Sequence, residues 1–291
     1  MKNLSIYNSI FLLFLIIISA CGEPAVDVES IEYVPKIAVE AFIYPGENIE
    51  GIRIQRNFRL NEKVTEDGLF LTPEANNVVA SINGNPLSFD PVTRTYFLDN
   101  SIAEFDKEYT IEIYATVDSR QLSATGKTRT PQSGFKLLEN NLGSFSYQGD
   151  LPILEFTPST STDFYIFSII ANKAGVDNFI YDNNIDPNIS ADDVSEYFND
   201  YFLQYNWLSH LDPKFSGYFY YDIKDFDVWF YSDYRVIAYA GDYNFRQFHQ
   251  TNFELKEIDG NFHEPYQIFT GDGIGIFASA IRDTAYFTIT R

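Results

Sequence analysis

Cysteine is almost absent from this chain, and histidine is scarce. The 291 residues include one cysteine, Cys21, and three histidines, His210, His249 and His263. With no second cysteine, the fold must be stable without an internal disulfide, and a chain of this length can bury enough apolar surface to achieve that. The histidines show no pair at zinc-site spacing, so each is expected to be a packed or surface residue.

Basic residues are few as well. The chain has 20 lysines and arginines against 41 aspartates and glutamates, which gives a formal net charge of −21. A chain this acidic is repelled by phosphate backbones and anionic headgroups, so nucleic acid is not an expected partner. Its residues are 45% hydrophobic and 17% aromatic, which indicates a folded, β-rich protein rather than a disordered one.

The one long apolar run lies at the N terminus and ends beside Cys21. It extends from Ile10 to Ile18 behind a single charge, Lys2, in the pattern of a secretory signal over residues 1–20. The run is far shorter than the ~20 residues that a membrane-spanning helix needs. Its end, Ile-Ser-Ala-Cys, resembles the lipobox of bacterial lipoproteins. That resemblance implies cleavage before Cys21 and its modification by acyl chains such as palmitate. The alternative is an ordinary secretory leader with a cysteine nearby by chance.

Residues 21–32 are predicted to be an acidic tether between a membrane anchor and the folded chain. Glu23, Asp27 and Glu29 follow the cysteine closely. Such residues resemble the surface-export signals of Bacteroidota lipoproteins, although here they are scattered. The surface-exposed and the periplasmic orientation both remain open.

Residues 33–131 are predicted to form an immunoglobulin-like β-sandwich. Apolar and polar residues alternate over 109–117, and Asn83-Gly84 is a strong hairpin signal. Short strands separated by turns over about 100 residues are typical of this fold. Pro131 closes the segment.

Residues 132–291 are predicted to form a second, antiparallel β domain with one inserted helix. The nearly continuous apolar run at 164–171 indicates a central strand. A capping-box pattern begins at Ser190, and apolar residues then recur every three or four positions, which predicts an amphipathic helix near 190–208. Alternation after residue 217 predicts further strands, including one over 243–249.

Two motifs allow a ligand-binding interpretation. Gly271, Gly273 and Gly275 superficially suggest a phosphate loop, but the residues between and after them alternate as in a strand, so a glycine-rich strand with close packing is expected. Asp182, Asn184 and Asp186 match the first positions of a calcium loop. Pro187 stands where that loop needs glycine, so a solvated loop is expected and calcium is kept as the alternative.

Aromatic residues are concentrated between positions 197 and 248, which include both tryptophans. Some runs place aromatic side chains on both faces of a strand, so Tyr220, Trp229 and Tyr231 are predicted to point outward as a ligand- or partner-binding face. The alternative is that these aromatics fill the core. No nucleophile motif is present, and acidic pairs arise by composition alone, so neither catalysis nor a cofactor is expected.

Three segments resemble the Bacteroidota lipoproteins grouped as domain of unknown function 4249. Residues 39–44 (VEAFIY) are similar to that family's early strand, Thr130-Pro131 to the close of its first domain, and residues 271–279 (GDGIGIFAS) to its late glycine-rich motif. The chain departs from the family pattern at Ala41, Asp272 and Ala278.

The resemblance implies a location at the outer membrane. It also implies a TonB-dependent receptor as partner, because such receptors tend to be encoded beside the family's members. It names no ligand and no activity. We therefore expect a lipid-anchored, non-catalytic accessory protein of nutrient uptake. The alternative is a structural, adhesion or assembly lipoprotein of the cell envelope.

Overall fold

The computed structural model of the chain describes residues 33–59, 62–198, 203–209, 219–252 and 266–291, with only the backbone described for 203–209 and for Asn252. The predicted signal peptide, Cys21, the tether over 21–32, His210 and His263 lie outside these residues. Residues 35–291 form one compact unit. None of the described helices has the length and apolar character needed to cross a bilayer.

Strands dominate the described chain. They are β1 Ile37–Ile43, β2 Arg53–Arg56, β3 Val79–Ile82, β4 Asn85–Pro86, β5 Ser88–Asp90, β6 Thr95–Phe97, β7 Glu108–Val117, β8 Arg120–Arg129, β9 Lys136–Leu137, β10 Asn141–Ser146, β11 Ile153–Thr157, β12 Phe164–Ala171, β13 Leu203–Ser209, β14 Phe219–Asp222, β15 Asp233–Gly241, β16 Phe269–Gly271 and β17 Gly273–Thr290. The α-helices are α1 Glu66–Leu69, α2 Pro73–Asn76, α3 Ala191–Glu196 and α4 Tyr243–Asn252, with 3-10 turns at Val176–Asn178 and Asp225–Asp227. The predicted mainly β fold is confirmed.

The strands form several sheets. The largest has the order β13-β12-β15-β17-β1-β2, and β10 also pairs with β17. A five-stranded sheet has the order β16-β8-β7-β3-β4, and a three-stranded sheet the order β14-β11-β9. Most pairs are antiparallel, but β1 and β10 run parallel to β17. Because β1 lies before the predicted boundary at residue 131 and β17 after it, the largest sheet contains strands of both predicted domains.

Strand β17 contributes to two β-sandwich cores. Near its start, Phe277 is buried with Ile111 and Ile113 of β7, between the five-stranded sheet and the end of the large sheet. Toward its end, Phe287 and Ile289 are buried in a second core that the three-stranded sheet covers. Alternating burial along β7 and β8 follows from the two-residue period of a strand with one solvated face. The predicted β-sandwich fold is confirmed, and its first core also contains Phe269 of β16 and Phe277 of β17, which lie beyond residue 131.

Strand β12 is buried on both faces, as its continuous apolar sequence predicts. Tyr165 and Phe167 point into the second core, whereas Phe164 and Ile166 pack with Phe245 of α4 on the opposite face. A strand covered on both faces has no need for alternating polar residues. The sequence prediction of a central strand over 164–171 is therefore confirmed.

The helix predicted near 190–208 is much shorter in the structure. The capping box at Ser190 is present, with the Asp193 carboxylate accepting from the Ser190 backbone N–H, but α3 ends at Glu196. Residues 203–209 instead form β13, which pairs with the edge of β12. The residues from Leu203 to Trp207 also alternate between apolar and polar, which is the pattern of a strand. Pairing with β12 supplies hydrogen-bond partners for their backbone groups, and this tertiary contact outweighs the helix-like spacing of the apolar residues.

Residues 243–249, predicted to be a strand, lie in helix α4. Asp242 precedes the helix, and its Oδ1 accepts a hydrogen bond from the Phe245 N–H at 2.9 Å. A carboxylate in this position satisfies an N–H group that the first helical turn leaves unpaired. The prediction was wrong because the spacing of the aromatic residues in this short segment fits both the 3.6-residue period of a helix and the two-residue period of a strand.

The glycine-rich segment is a strand, as predicted. Gly273 and Gly275 lie in β17, and a Cβ atom at Gly273 would come within 2.7 Å of Ala124 Cβ. Gly271 has φ +79°, and its Cβ would lie 2.5 Å from the Ser123 carbonyl oxygen. Close packing against neighbouring strands therefore accounts for these glycines.

Candidate functional site

The three aromatic residues predicted to form a binding face have different environments. Tyr220 on β14 is 63% exposed and lies opposite Glu155 of β11. Trp229 is only 9% exposed, which corrects the prediction that it points outward. Its Nε1 donates to the Phe226 carbonyl oxygen at 2.9 Å, and its indole stacks on the Phe179 ring. Tyr231 is half-buried.

Trp229 points inward because its segment is not a regular strand. A 3-10 turn at Asp225–Asp227 precedes it, and the chain that follows makes only an isolated bridge between Phe179 and Phe230. The Ile180 N–H donates to the Trp229 carbonyl oxygen at 2.9 Å. Strand alternation therefore gives no guide to which side chains face solvent here.

Tyr231 lines a cleft of about 360 Å³ that also contains Asp182 of the predicted calcium loop. We refer to it as the tyrosine cleft. Its lining consists of Tyr147, Gln148, Phe179, Tyr181, Asp182, Tyr231 and Arg291. Its volume is at the lower end of the range of about 300–1,000 Å³ for small-molecule sites.

Three chain segments bring these side chains together. The Tyr231 N–H donates to the Asn178 carbonyl oxygen at 2.8 Å, which holds the 178–181 and 229–231 segments side by side. Tyr147 follows β10, and its N–H donates to the Thr290 carbonyl oxygen at 3.2 Å. Tyr147 and Arg291 are therefore neighbours because β10 runs parallel to the end of β17.

Hydrogen bonds orient the polar groups of the tyrosine cleft. The Tyr231 hydroxyl donates to Asp182 Oδ1 at 2.9 Å, and Gln148 Nε2 donates to Asp182 Oδ2 at 3.5 Å. The Tyr181 hydroxyl donates to the Val176 carbonyl oxygen at 3.1 Å. The Arg291 guanidinium carbon lies 5.5 Å from the centre of the Tyr231 ring.

Tyr147 is a buried polar residue of the cleft. It is 3% exposed, and among the described residues its hydroxyl has no hydrogen-bond partner. Burial, with a contribution from Asp225, raises its pKa, and a contact from the Asn184 backbone N–H, which falls short of hydrogen-bond geometry, offsets part of that rise. A buried polar group without a partner is rare in folded proteins and needs an explanation.

The tyrosines of the cleft stay protonated at neutral pH. Burial raises the pKa of Tyr231 to about 12, and the hydrogen bond to Asp182 adds to the effect. Burial, with a smaller contribution from Asp177, also raises the pKa of Tyr181. The phenols therefore act as neutral hydrogen-bonding and stacking groups.

The structure places the calcium candidates Asp182, Asn184 and Asp186 in a loop that Asn183 organises. Asn183 is buried, and its Oδ1 accepts from the backbone N–H of both Ile185 and Asp186. Asp182 accepts from Tyr231, and Asn184 donates to Asp225 at 3.4 Å. Within the described ranges, no three His, Cys, Asp or Glu side chains are grouped to hold a metal ion.

A second cleft, of about 330 Å³, surrounds Asp242 at the start of α4. Asp242 Oδ2 accepts from Thr128 Oγ1 at 2.5 Å, and Oδ1 accepts from the Ser279 N–H at 3.2 Å. Burial raises the pKa of this carboxyl. These bonds cap the helix and join β8 to β17, which accounts for Asp242 as a structural group.

Sequence reasoning identified two members of the tyrosine cleft, Asp182 and Tyr231, as parts of separate motifs. It missed Tyr147, Tyr181 and Arg291. The run from Phe179 to Asp182 does place aromatic residues beside the polar loop, which is a usable signal. Nothing local to Tyr147 or Arg291 marks them, because the pairing of β10 with β17 brings them to the cleft.

Comparisons with known proteins leave the family of the chain undetermined. No family model matches the sequence, and no curated protein matches it. The resemblance to the lipoproteins of domain of unknown function 4249 therefore stays a prediction.

Among matching solved structures is that of titin domains Z1Z2 in complex with telethonin, at 10% identity and a TM-score of 0.21, covering 88% of this chain and 95% of that one. A bacterial ice-binding adhesin matches at 9% identity and a TM-score of 0.22, covering 88% of this chain and 64% of that one. Scores this low carry no argument about function.

Proposed function

We propose that this protein is a lipid-anchored outer-membrane component that acts as a non-catalytic binding partner of a TonB-dependent receptor in nutrient uptake. The proposed location and partner are based on the lipobox-like sequence that ends at Cys21. They are also based on the resemblance of segments 39–44 and 271–279 to the lipoproteins of domain of unknown function 4249. The binding role rests on the tyrosine cleft.

The observation that carries the binding role is the environment of Tyr147. Its buried hydroxyl, unpaired among the described residues, lies in a cleft with Tyr181, Tyr231 and Asp182. Aromatic rings with a few convergent polar groups are typical of ligand sites. Because the Tyr231 pKa is about 12, this phenol is a poor proton-transfer group near neutral pH, which favours binding over general acid–base chemistry.

Co-purification from the native membrane tests the proposed partner. The tagged full-length protein is extracted from its own outer membranes in mild detergent, and the proteins recovered with it are identified and quantified by mass spectrometry. We expect stoichiometric recovery of a TonB-dependent receptor. Recovery of the protein alone, or with envelope-assembly components, would refute the transport role and favour the structural or adhesion alternative.

The anchor is tested separately with a Cys21→Ala variant. We expect metabolic incorporation of a palmitate analogue into the unmodified sequence and none into the variant, together with loss of the variant from the outer-membrane fraction. Equal labelling of both proteins would contradict lipidation at Cys21. Protease treatment of intact cells then distinguishes surface exposure from a periplasmic location.

A further inference from the structure

Apart from the Arg291 guanidinium and the Tyr147 O–H, the polar groups that line the tyrosine cleft mainly offer hydrogen-bond acceptors. The hydroxyl protons of Tyr181 and Tyr231 are already donated to Val176 and Asp182, so each hydroxyl oxygen retains only lone pairs. The Gln148 amide donates to Asp182 as well. A ligand that brings N–H donors therefore suits this lining better than one that brings acceptors.

The charges around the cleft favour a positive ligand. Asp182 lines it, and Asp177 and Asp225 lie close enough to raise the pKa of Tyr181 and Tyr147. Arg291 is the cationic residue among the described lining groups. The chain as a whole carries a formal charge of −21, which adds long-range attraction for cations.

One ring of the cleft already contacts a cation. The Arg291 guanidinium lies over the Tyr231 ring with its carbon 5.5 Å from the ring centre, within the ~6 Å range of a cation–π contact. Arg291 itself is exposed, so the guanidinium contacts the ring from the solvent side. A ligand cation could replace it on the same ring.

The unpartnered Tyr147 hydroxyl supplies an independent reason to expect a ligand. A buried phenol hydroxyl without a hydrogen bond carries an energetic cost, which an N–H donor in the cleft would reduce by pairing with its oxygen. A guanidinium presents five N–H donors in a plane and stacks on aromatic rings, and an ammonium presents three. Both groups fit a cleft of about 360 Å³.

We propose that the tyrosine cleft binds an organic cation, a guanidinium or ammonium group, in competition with the Arg291 side chain. This inference rests on the proposed binding role of the cleft and is independent of the receptor partner. The same chemistry could come from a free small molecule or from a basic side chain of a partner protein. Failure of cation binding leaves the co-purification result unaffected, so the two proposals are tested separately.

The test is isothermal titration of the full-length protein in detergent with N-acetyl-arginine methylamide. The matched probe is the corresponding citrulline derivative, which has nearly the same shape without the charge. We expect the arginine probe to bind at least tenfold more tightly than the citrulline probe. Equal affinities, or preferential binding of glucose or acetate, would overturn the proposal.

Variants locate the binding site. Tyr231→Leu is expected to weaken binding of the arginine probe at least tenfold, whereas Tyr114→Leu, at an exposed tyrosine of β7, leaves it unchanged. Arg291→Gln removes the competing guanidinium and is expected to tighten binding severalfold. Near-ultraviolet circular dichroism establishes that each variant is folded. Unchanged affinity in both Tyr231→Leu and Arg291→Gln would contradict a site at this cleft.

A second probe distinguishes the two sources of the cation. A ten-residue Gly-Ser peptide with one central arginine is titrated in the same way. Equal affinity for the peptide and the free derivative supports a small-molecule ligand, and tighter binding of the peptide supports a basic segment of a partner protein. Absence of binding by both probes, in the unmodified protein and in Arg291→Gln, refutes the inference.

Discussion

Gly275 of β17 lies opposite Val39 of β1 in the parallel pair that joins the two ends of the described chain. A Cβ atom at Gly275 would lie 2.2 Å from the Val39 carbonyl oxygen, and the residue has φ +103°. Both the close approach and the backbone conformation therefore require glycine.

Gly275→Ala is expected to destabilise the protein by about 3 kcal/mol or more, because the methyl group overpacks the pair and the backbone conformation is strained. Gly175→Ala is the matched control, since no heavy atom lies within 4 Å of its Cβ and its φ is extended. The control should change stability by no more than about 0.5 kcal/mol. Urea unfolding measures the free energy of unfolding of both variants. An equal loss of stability in the two would contradict the packing argument.

Trp229→Ala is expected to cost about 3–5 kcal/mol in the free energy of unfolding, because it opens a cavity in the second core. Tyr220→Ala removes an exposed ring and should change stability by no more than about 0.5 kcal/mol. Chemical unfolding of the two variants compares them. A small effect at Trp229 would restore the prediction that it points outward.

Asp242→Ala should destabilise the protein by about 2 kcal/mol. It removes the cap of α4 and leaves the Ser279 N–H and the Thr128 hydroxyl without this acceptor. Asp150→Ala, at an exposed position, serves as the control for loss of one negative charge. Thermal unfolding at neutral pH distinguishes the two variants, and a similar shift in both would argue against the capping role.

His249 should make the protein less stable in acid. It packs among the rings of Phe164, Phe245 and Phe248, and burial lowers its pKa to about 4. The folded-state pKa is below the usual value of about 6.5, so the unfolded chain binds a proton at this histidine more readily than the folded protein does. The stabilisation that neutral His249 gives the folded state is therefore complete above pH 6.5 and is lost as the pH falls through 4.

The comparison with a His249→Gln variant isolates this contribution from the titration of the many carboxyls. Between pH 7 and pH 4, the unmodified protein should lose about 2 kcal/mol more stability than the variant, a value reduced for partial exposure of the ring. Urea unfolding at the two pH values measures the difference. Parallel losses in both proteins would show that His249 is not buried as a neutral group.

The sequence was most informative where a pattern has one physical interpretation. The capping box at Ser190, the doubly buried strand at 164–171 and the close-packed glycines at 271–275 were all predicted correctly. Each depends on contacts within a few residues or on the face that a single strand presents. Segments 203–209 and 243–249 were predicted wrongly, because their aromatic spacing fits both a helix and a strand.

The tyrosine cleft could not be predicted from the sequence, because its residues come from separate segments of the chain. Asp182 and Tyr231 belonged to different motifs in the sequence, a candidate calcium loop and an aromatic face. Their hydrogen bond exists because the isolated bridge between Phe179 and Phe230 holds two segments together. No periodicity within either segment contains that information.

By itself, the sequence determined the mainly β composition, the acidic net charge and the absence of a second cysteine. These properties depend on residue types and local order along the chain. Only the tertiary structure decided that Trp229 is buried, that β1 pairs with β17, and that Tyr147 and Arg291 share a cleft. Such relationships depend on pairings between strands far apart in sequence, and several pairings are compatible with the same alternating pattern.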